Sequence, residues 1–145
     1  MIEPARPEDL ASIESLLTSC GLPVDGVREH LGGFLVARDE SGLIGCCAME
    51  AHGRSGVLRS LAVIPAQRGR GLGSRLIDET LALAGRLGCS DIYLLTFTIE
   101  NLAARHGFRR ISRENVSPEA LASREFSITV CATAAVMHLP LPRSA

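Results

Sequence analysis

Arg68-Gly69-Arg70-Gly71-Leu72-Gly73-Ser74 is the stretch of this chain whose residue types and spacing carry the most chemistry. Glycine at alternate positions removes side chains where a backbone must approach a ligand closely. A helix starting directly after such a loop offers unpaired N–H groups and the positive end of its dipole to an anion. Arg68 and Arg70 add positive charge at the rim, so the pattern suits a pyrophosphate. A Walker A loop is excluded, because Gly73 is followed by Ser74 with no lysine. A dinucleotide fingerprint is excluded too: the glycines run G-x-G-x-G, and Pro65-Ala66-Gln67-Arg68 delays the turn after the strand. The competing reading is a glycine-rich turn that only starts a helix.

The elements that must position this loop follow from periodicity. Val57 to Val63 reads as a strand stopped by Pro65. From Gly71 the period changes, and Leu72, Leu76, Ile77, Leu81, Ala84 and Leu87 form one face of an amphipathic helix closed by Gly88. Upstream, Ile2 to Ala5 forms a short strand, and Arg6-Pro7-Glu8-Asp9 opens a helix carrying Leu10, Ile13, Leu16 and Leu17. A second short helix is expected over Val27 to Leu31. Strands follow at Phe34–Ala37 and Leu43–Glu50, with turns at Asp39–Gly42 and His52–Gly56. Downstream come a strand over Ile92–Leu95, a helix over Glu100–His106, a strand over Phe108–Ile111, a helical stretch over Pro118–Ser123 and a last strand over Ala135–Leu139. Strands, helix, strand, helix and strands in this order predict an α/β fold with a mixed sheet and helices packed on it.

Composition narrows the function classes. The 145 residues suit one domain, and 46% apolar residues supply a core rather than a disordered chain. A formal charge of -1 gives no basic field for nucleic acid, and one Tyr, four Phe and no Trp leave few stacking platforms. No apolar run approaches the ~18 residues of a membrane span, and Glu3, Glu8 and Asp9 stand where a secretory signal needs basic residues. The expectation is a cytoplasmic protein with no nucleic-acid or membrane partner. Cys20, Cys46, Cys47, Cys89 and Cys131 form no C-x-x-C pair, so no metal site or disulfide framework is expected. Adjacent Cys46 and Cys47 on a strand point to opposite faces and cannot clamp one ion.

Leu61-Ala62-Val63-x-Pro65 followed by Gln67-Arg68-Gly69-Arg70-Gly71-Leu72-Gly73 resembles motif A of the GNAT acetyltransferases, R/Q-x-x-G-x-G/A. His106-Gly107-Phe108 is similar to the G-F that closes the family's second motif, and the likeness covers essentially the whole chain. It implies the GNAT fold in one domain over 1–145: α/β, with a central mixed, mostly antiparallel sheet and helices on both faces. It further implies acetyl-CoA as co-substrate. The backbone of Leu61, Ala62 and Val63 would meet the pantetheine arm. Amides of Arg68, Gly69, Arg70, Gly71, Leu72 and Gly73, with Ser74, would hold the diphosphate. Leu94-Leu95-Thr96 leading into His106-Gly107-Phe108 resembles the amino-acid N-acetyltransferase branch. Arg124-Glu125-Phe126 with Val130-Cys131-Ala132 is similar to small GNAT proteins encoded with arsenic-resistance genes. Both imply a small amino-acid-like amine.

Acetyl transfer to an amine needs a route for the ammonium proton, a donor to the tetrahedral oxyanion and a departing thiolate. The chain departs from the common family pattern at three places. Ser60 occupies the position of the usual strand carboxylate, Ala103 that of the usual tyrosine acid, and Thr96 that of the usual asparagine. Glu50, at the end of the preceding strand, is the substitute base; its alternative is a solvated strand-end carboxylate. Arg59 shares a period-two relation with Leu61 and Val63 and either grips a substrate carboxylate or pairs with Glu50. Ser60 and Glu100 are weaker candidates, His52 and His106 are read as surface residues, and Tyr93 and Cys131 as core. No Cys–His or Ser–His pair is evident, so attack in a ternary complex is expected. The competing functions are acetylation of a protein N-terminus or lysine, and a non-catalytic acyl-CoA-binding module. Uncovered strand edges allow a homodimer.

Overall fold

The computed structural model describes residues 2–128 and 131–142. Seven strands are β1 (Ile2–Pro4), β2 (Phe34–Asp39), β3 (Gly42–His52), β4 (Ser55–Val63), β5 (Asp91–Thr96), β6 (Arg109–Ile111) and β7 (Ala135–Pro140). Three α-helices are α1 (Leu10–Ser19), α2 (Leu72–Arg86) and α3 (Glu100–Arg105). The strands form one sheet in the order β1-β2-β3-β4-β5-β7-β6. The registered pairings β1–β2, β2–β3, β5–β7 and β6–β7 are antiparallel, and β4–β5 is parallel. The expected mixed, mostly antiparallel sheet is what forms.

Two compact units divide the chain: Met1–Met49 with Ser60–Leu81, and Glu50–Arg59 with Ala82–Ala145. In the first unit, α1 buries Ile13, Leu16 and Leu17 against Val36 of β2, Cys46 and Ala48 of β3 and Ala62 of β4. Cys47 points to the other face, where it is hydrogen-bonded to Thr80 of α2. On that same face, the space beside Gly45 is closed by Leu72 and Leu76 of α2. One-residue alternation along β3 thus sends neighbouring cysteines to two different helices, one on each face of the sheet. In the second unit, Val57, Tyr93, Val116, Ala120 and Val136 form the core.

Two local expectations change. Residues 25–30 form turns rather than a helix, followed by a 3-10 turn at Leu31–Gly33. Gly33 explains the tight entry to β2: a Cβ there would lie 2.1 Å from the carbonyl oxygen of Met49. The stretch over Pro118–Ser123 closes into a 3-10 turn at Ala120–Ala122, with another at Arg124–Phe126. Thr129 and Val130, part of the segment read around Cys131, lie outside the described residues. No described helix is long and apolar enough to cross a membrane.

Candidate functional site

β4 ends at Val63, and a 3-10 turn at Pro65–Gln67 carries the chain to Arg68. Gly69 and Gly71 then take left-handed backbones, with φ +78° and +81°. A Cβ built at either meets nothing within 4 Å, so glycine is required there by φ and not by crowding inside the protein. α2 begins at Leu72, and its first capping bond is Arg75 N–H to the carbonyl of Gly71. Among the described residues, no backbone acceptor is recorded for the N–H groups of Gly69, Arg70, Gly71, Leu72 or Gly73. Five consecutive donors, two of them on left-handed glycines, are the kind of backbone run that can act as an anion cradle. Arg68 departs from expectation: its N–H is already bonded to the carbonyl of Pro65 at 3.2 Å, so the open run starts one residue later. Leu72 is buried, which anchors the helix start under the loop.

Ser60 sits inside β4 with φ +61°, the one non-glycine residue with positive φ among those described. A left-handed residue inside a strand costs about 1–2 kcal/mol and breaks the period-two alternation. The face shared by Arg59, Leu61 and Val63 in the sequence reading therefore fails. Ala62 is the residue that joins the α1 core, while Leu61 and Val63 are half-buried. The carbonyl of Ser60 accepts a hydrogen bond from the Cys46 thiol at 3.2 Å. Parallel pairing of β4 with β5 covers Ser55–Val57 against Asp91–Tyr93.

In the second unit, Glu50 is 1% exposed and Arg59 3%. Glu50 is therefore not a solvated strand-end group. Its Oε2 accepts from Arg59 at 2.8 Å, and its Oε1 lies 2.8 Å from His52 Nε2. Arg59 also approaches Glu125 at 3.8 Å. Of the two roles weighed for Arg59, pairing with Glu50 is the one present. A carboxylate that takes up a proton surrenders the charge holding this buried guanidinium, which makes Glu50 a constrained base. His52 is corrected from a surface residue to a half-buried partner of Glu50, and His106 is half-buried as well. His52 was findable from sequence, since residues i and i+2 of a strand share a face. Glu125 was not, because nothing local ties a 3-10 turn late in the chain to β4.

The departures from the family pattern are also resolved. Thr96 Oγ1 accepts from the N–H groups of Thr98 and Ile99 at 3.1 and 2.9 Å, opening the turn into α3. Ala103 is fully buried, and its carbonyl accepts from His106 and Phe108. Tyr93 lies in the core with its hydroxyl accepting from Ser117 N–H, and burial pushes its phenol upward in pKa. Glu100 is half-buried, 3.6 Å from Arg110. Cys46, Cys47, Cys89 and Cys131 are buried and Cys20 is half-buried, all as free thiols. Burial pushes the Cys47 thiol up to about 12.

Strand, glycine loop and helix in this arrangement match known proteins. The family model described as Acetyltransferase (GNAT) domain matches residues 30–110, more than half of the chain, and the chain belongs to that family. It is 30% identical over 92 residues to an uncharacterized N-acetyltransferase of Chlorobaculum tepidum, covering 63% of this chain and 59% of that protein. It is 36% identical over 78 residues to an amino-acid acetyltransferase of Mycobacterium tuberculosis, covering 53% of this chain and 44% of that protein. The matches thus span about half the length of these two curated relatives. Rv2747 of Mycobacterium tuberculosis, solved in complex with CoA and NLQ, superposes with a TM-score of 0.83 at 25% identity, covering 98% of this chain and 99% of that one.

Proposed function

We propose that this protein is an acetyl-CoA-dependent N-acetyltransferase acting in the cytoplasm on the primary amine of a small amino-acid-like molecule. The observation that carries the reading is the run of amides from Gly69 to Gly73 without a backbone acceptor, which follows a strand and crosses into the first residues of α2. A run of five unpaired backbone donors suits a diphosphate, whose oxygens can be satisfied by main chain without any side chain. Ser74, in the first turn of α2, is the side chain of this reading nearest in sequence to the diphosphate. The backbone of Leu61, Ala62 and Val63 is assigned to the pantetheine arm. The similarity to an amino-acid acetyltransferase supports the substrate class.

The bound thioester supplies the acetyl group; the chain supplies orientation and charge. The amides of residues 69–73 would hold the coenzyme so that its thioester carbonyl faces the amine, and such placement can supply a large share of a rate enhancement. A lysine-like ammonium with pKa ~10.4 must shed its proton first, and Glu50 with His52 is the pair assigned to that path. Arg59 positions Glu50. With Ala103 unable to donate a proton, the thiolate leaves unassisted, which its pKa of ~8.5 permits.

Thiol release measured across a panel of amino acids, short peptides and amino-acid phosphonate or arsenical analogues tests this reading. Turnover on free amino acids supports it, and turnover confined to peptides replaces the acceptor. The arsenical arm examines the link implied by the resemblance of the C-terminal segment. A second reading, an acyl-CoA-binding module without catalysis, is favoured by the buried Ala103 and by the use of Thr96 as a turn cap. Tight coenzyme binding with no turnover on any amine would select it. Sedimentation of the same sample separates monomer from homodimer.

A further inference from the structure

The side chain of Arg68 folds back along the chain. Its Nε donates to the carbonyl of Val63 at 2.9 Å, and a terminal nitrogen reaches Cys20 Sγ at 3.5 Å. Its N–H is held by Pro65, so main chain and side chain are both anchored just before the left-handed turn at Gly69. Cys20 caps α1, with its own N–H bonded to the carbonyls of Leu16 and Leu17. The last turn of α1 contains no basic residue, and the Arg68 guanidinium supplies a cation where the helix dipole favours one. One side chain therefore ties the end of a strand, the end of a helix and the first residue of the glycine loop.

We propose that Arg68 is a positioning residue: anchored on the Val63 carbonyl and the Cys20 thiol, its side chain holds the segment that enters the glycine loop in the form that accepts the coenzyme. The inference rests on the coenzyme reading above and goes beyond it by making affinity depend on a thiol outside the loop. Cys20 is the half-buried cysteine in a set whose other four members are buried, so a reagent reaches it first. A group added to its sulfur occupies the place of the guanidinium nitrogen. The guanidinium then leaves Val63, and the segment entering Gly69 loses its side-chain anchor. Arg68 acts in this way as a hydrogen-bond donor of defined reach, and its charge is not spent on phosphate.

Iodoacetamide at mildly alkaline pH provides the test. The Cys20 sulfur attacks the methylene carbon, a C–S bond forms as the C–I bond breaks, iodide leaves and the thiol proton passes to solvent. Peptide mapping verifies the site, and calorimetry gives coenzyme A affinity before and after. The expected result is affinity weakened about tenfold, the change given by losing one hydrogen bond from a charged donor. Cys20→Ser, which keeps an acceptor, binds as the wild type does and ignores the reagent. Arg68→Ala is weakened about tenfold with the salt dependence of binding unchanged. Equal affinity before and after modification of Cys20 overturns the latch. So does weakening in Arg68→Ala accompanied by a shallower salt dependence, because that outcome makes Arg68 a phosphate ligand. If unmodified protein fails to bind coenzyme A, the coenzyme reading itself falls and takes the latch with it.

Discussion

Replacing Gly71 by alanine separates the two demands the loop places on its glycines. At φ +81° an L-residue is strained by about 1–2 kcal/mol, yet the added methyl meets no protein atom within 4 Å. Folding should therefore lose only that backbone strain. Gly88, which closes α2 at φ +84° with nothing within 4 Å of its would-be Cβ, is the matched control. Gly88→Ala carries the same conformational cost and lies outside the anion cradle. Urea denaturation should give similar destabilisation, about 1–2 kcal/mol, for both variants. Coenzyme A titrated calorimetrically should distinguish them. Gly88→Ala binds like the wild type, and Gly71→Ala binds at least tenfold more weakly, since a methyl stands where a diphosphate must approach the backbone and one amide is displaced. Equal affinity in the two variants refutes the argument that Gly71 is there to admit a ligand.

Gly33→Ala should destabilise the protein by about 2–3 kcal/mol in the same denaturation assay, because its methyl would fall 2.1 Å from the backbone oxygen of Met49. Glu50→Gln takes the nearer of two carboxylates from a buried guanidinium and should cost about 3–5 kcal/mol, whereas Glu50→Met, Arg59→Met and Glu125→Gln together remove the whole buried charge cluster and should cost less. A folded triple variant that retains turnover removes Glu50 and Arg59 from the chemistry. Asp9 accepts two hydrogen bonds from Arg38, whose guanidinium, together with Arg6 N–H, holds its carboxyl down to about 2. Its contribution of about 1–2 kcal/mol is fully present above pH ~4, where the unfolded carboxyl is ionised, and disappears as pH falls through about 2. Asp9→Asn should flatten stability across that window, as followed by thermal melts at successive pH values.

The glycine loop was legible in sequence because its constraints are local. Alternate glycines, a strand before them and an amphipathic helix after them all fall within a short window. α1 and α2 were legible for the same reason, through apolar spacing and the punctuation of Pro7 and Gly88. The partnership of Glu50 and Arg59 was half legible, since a hairpin brings the end of β3 beside β4. The break at Ser60 was not, because serine has no special preference for positive φ. That single residue defeated the alternation used to aim Arg59. The expected helix over Val27 to Leu31 failed because Gly32 and Gly33 end it before a second turn can form, leaving isolated bonds such as His30 N–H to Gly26. The fold-back of Arg68 onto Cys20 joins residues far apart in sequence, and no periodicity reports such a contact.

Backbone amide resonances of uniformly labelled protein, followed while coenzyme A is added, address the loop directly. The account predicts saturable shifts at Gly69, Gly71 and Gly73 that pantetheine, lacking the diphosphate, does not produce. Saturable coenzyme binding that leaves those three amides unmoved contradicts it.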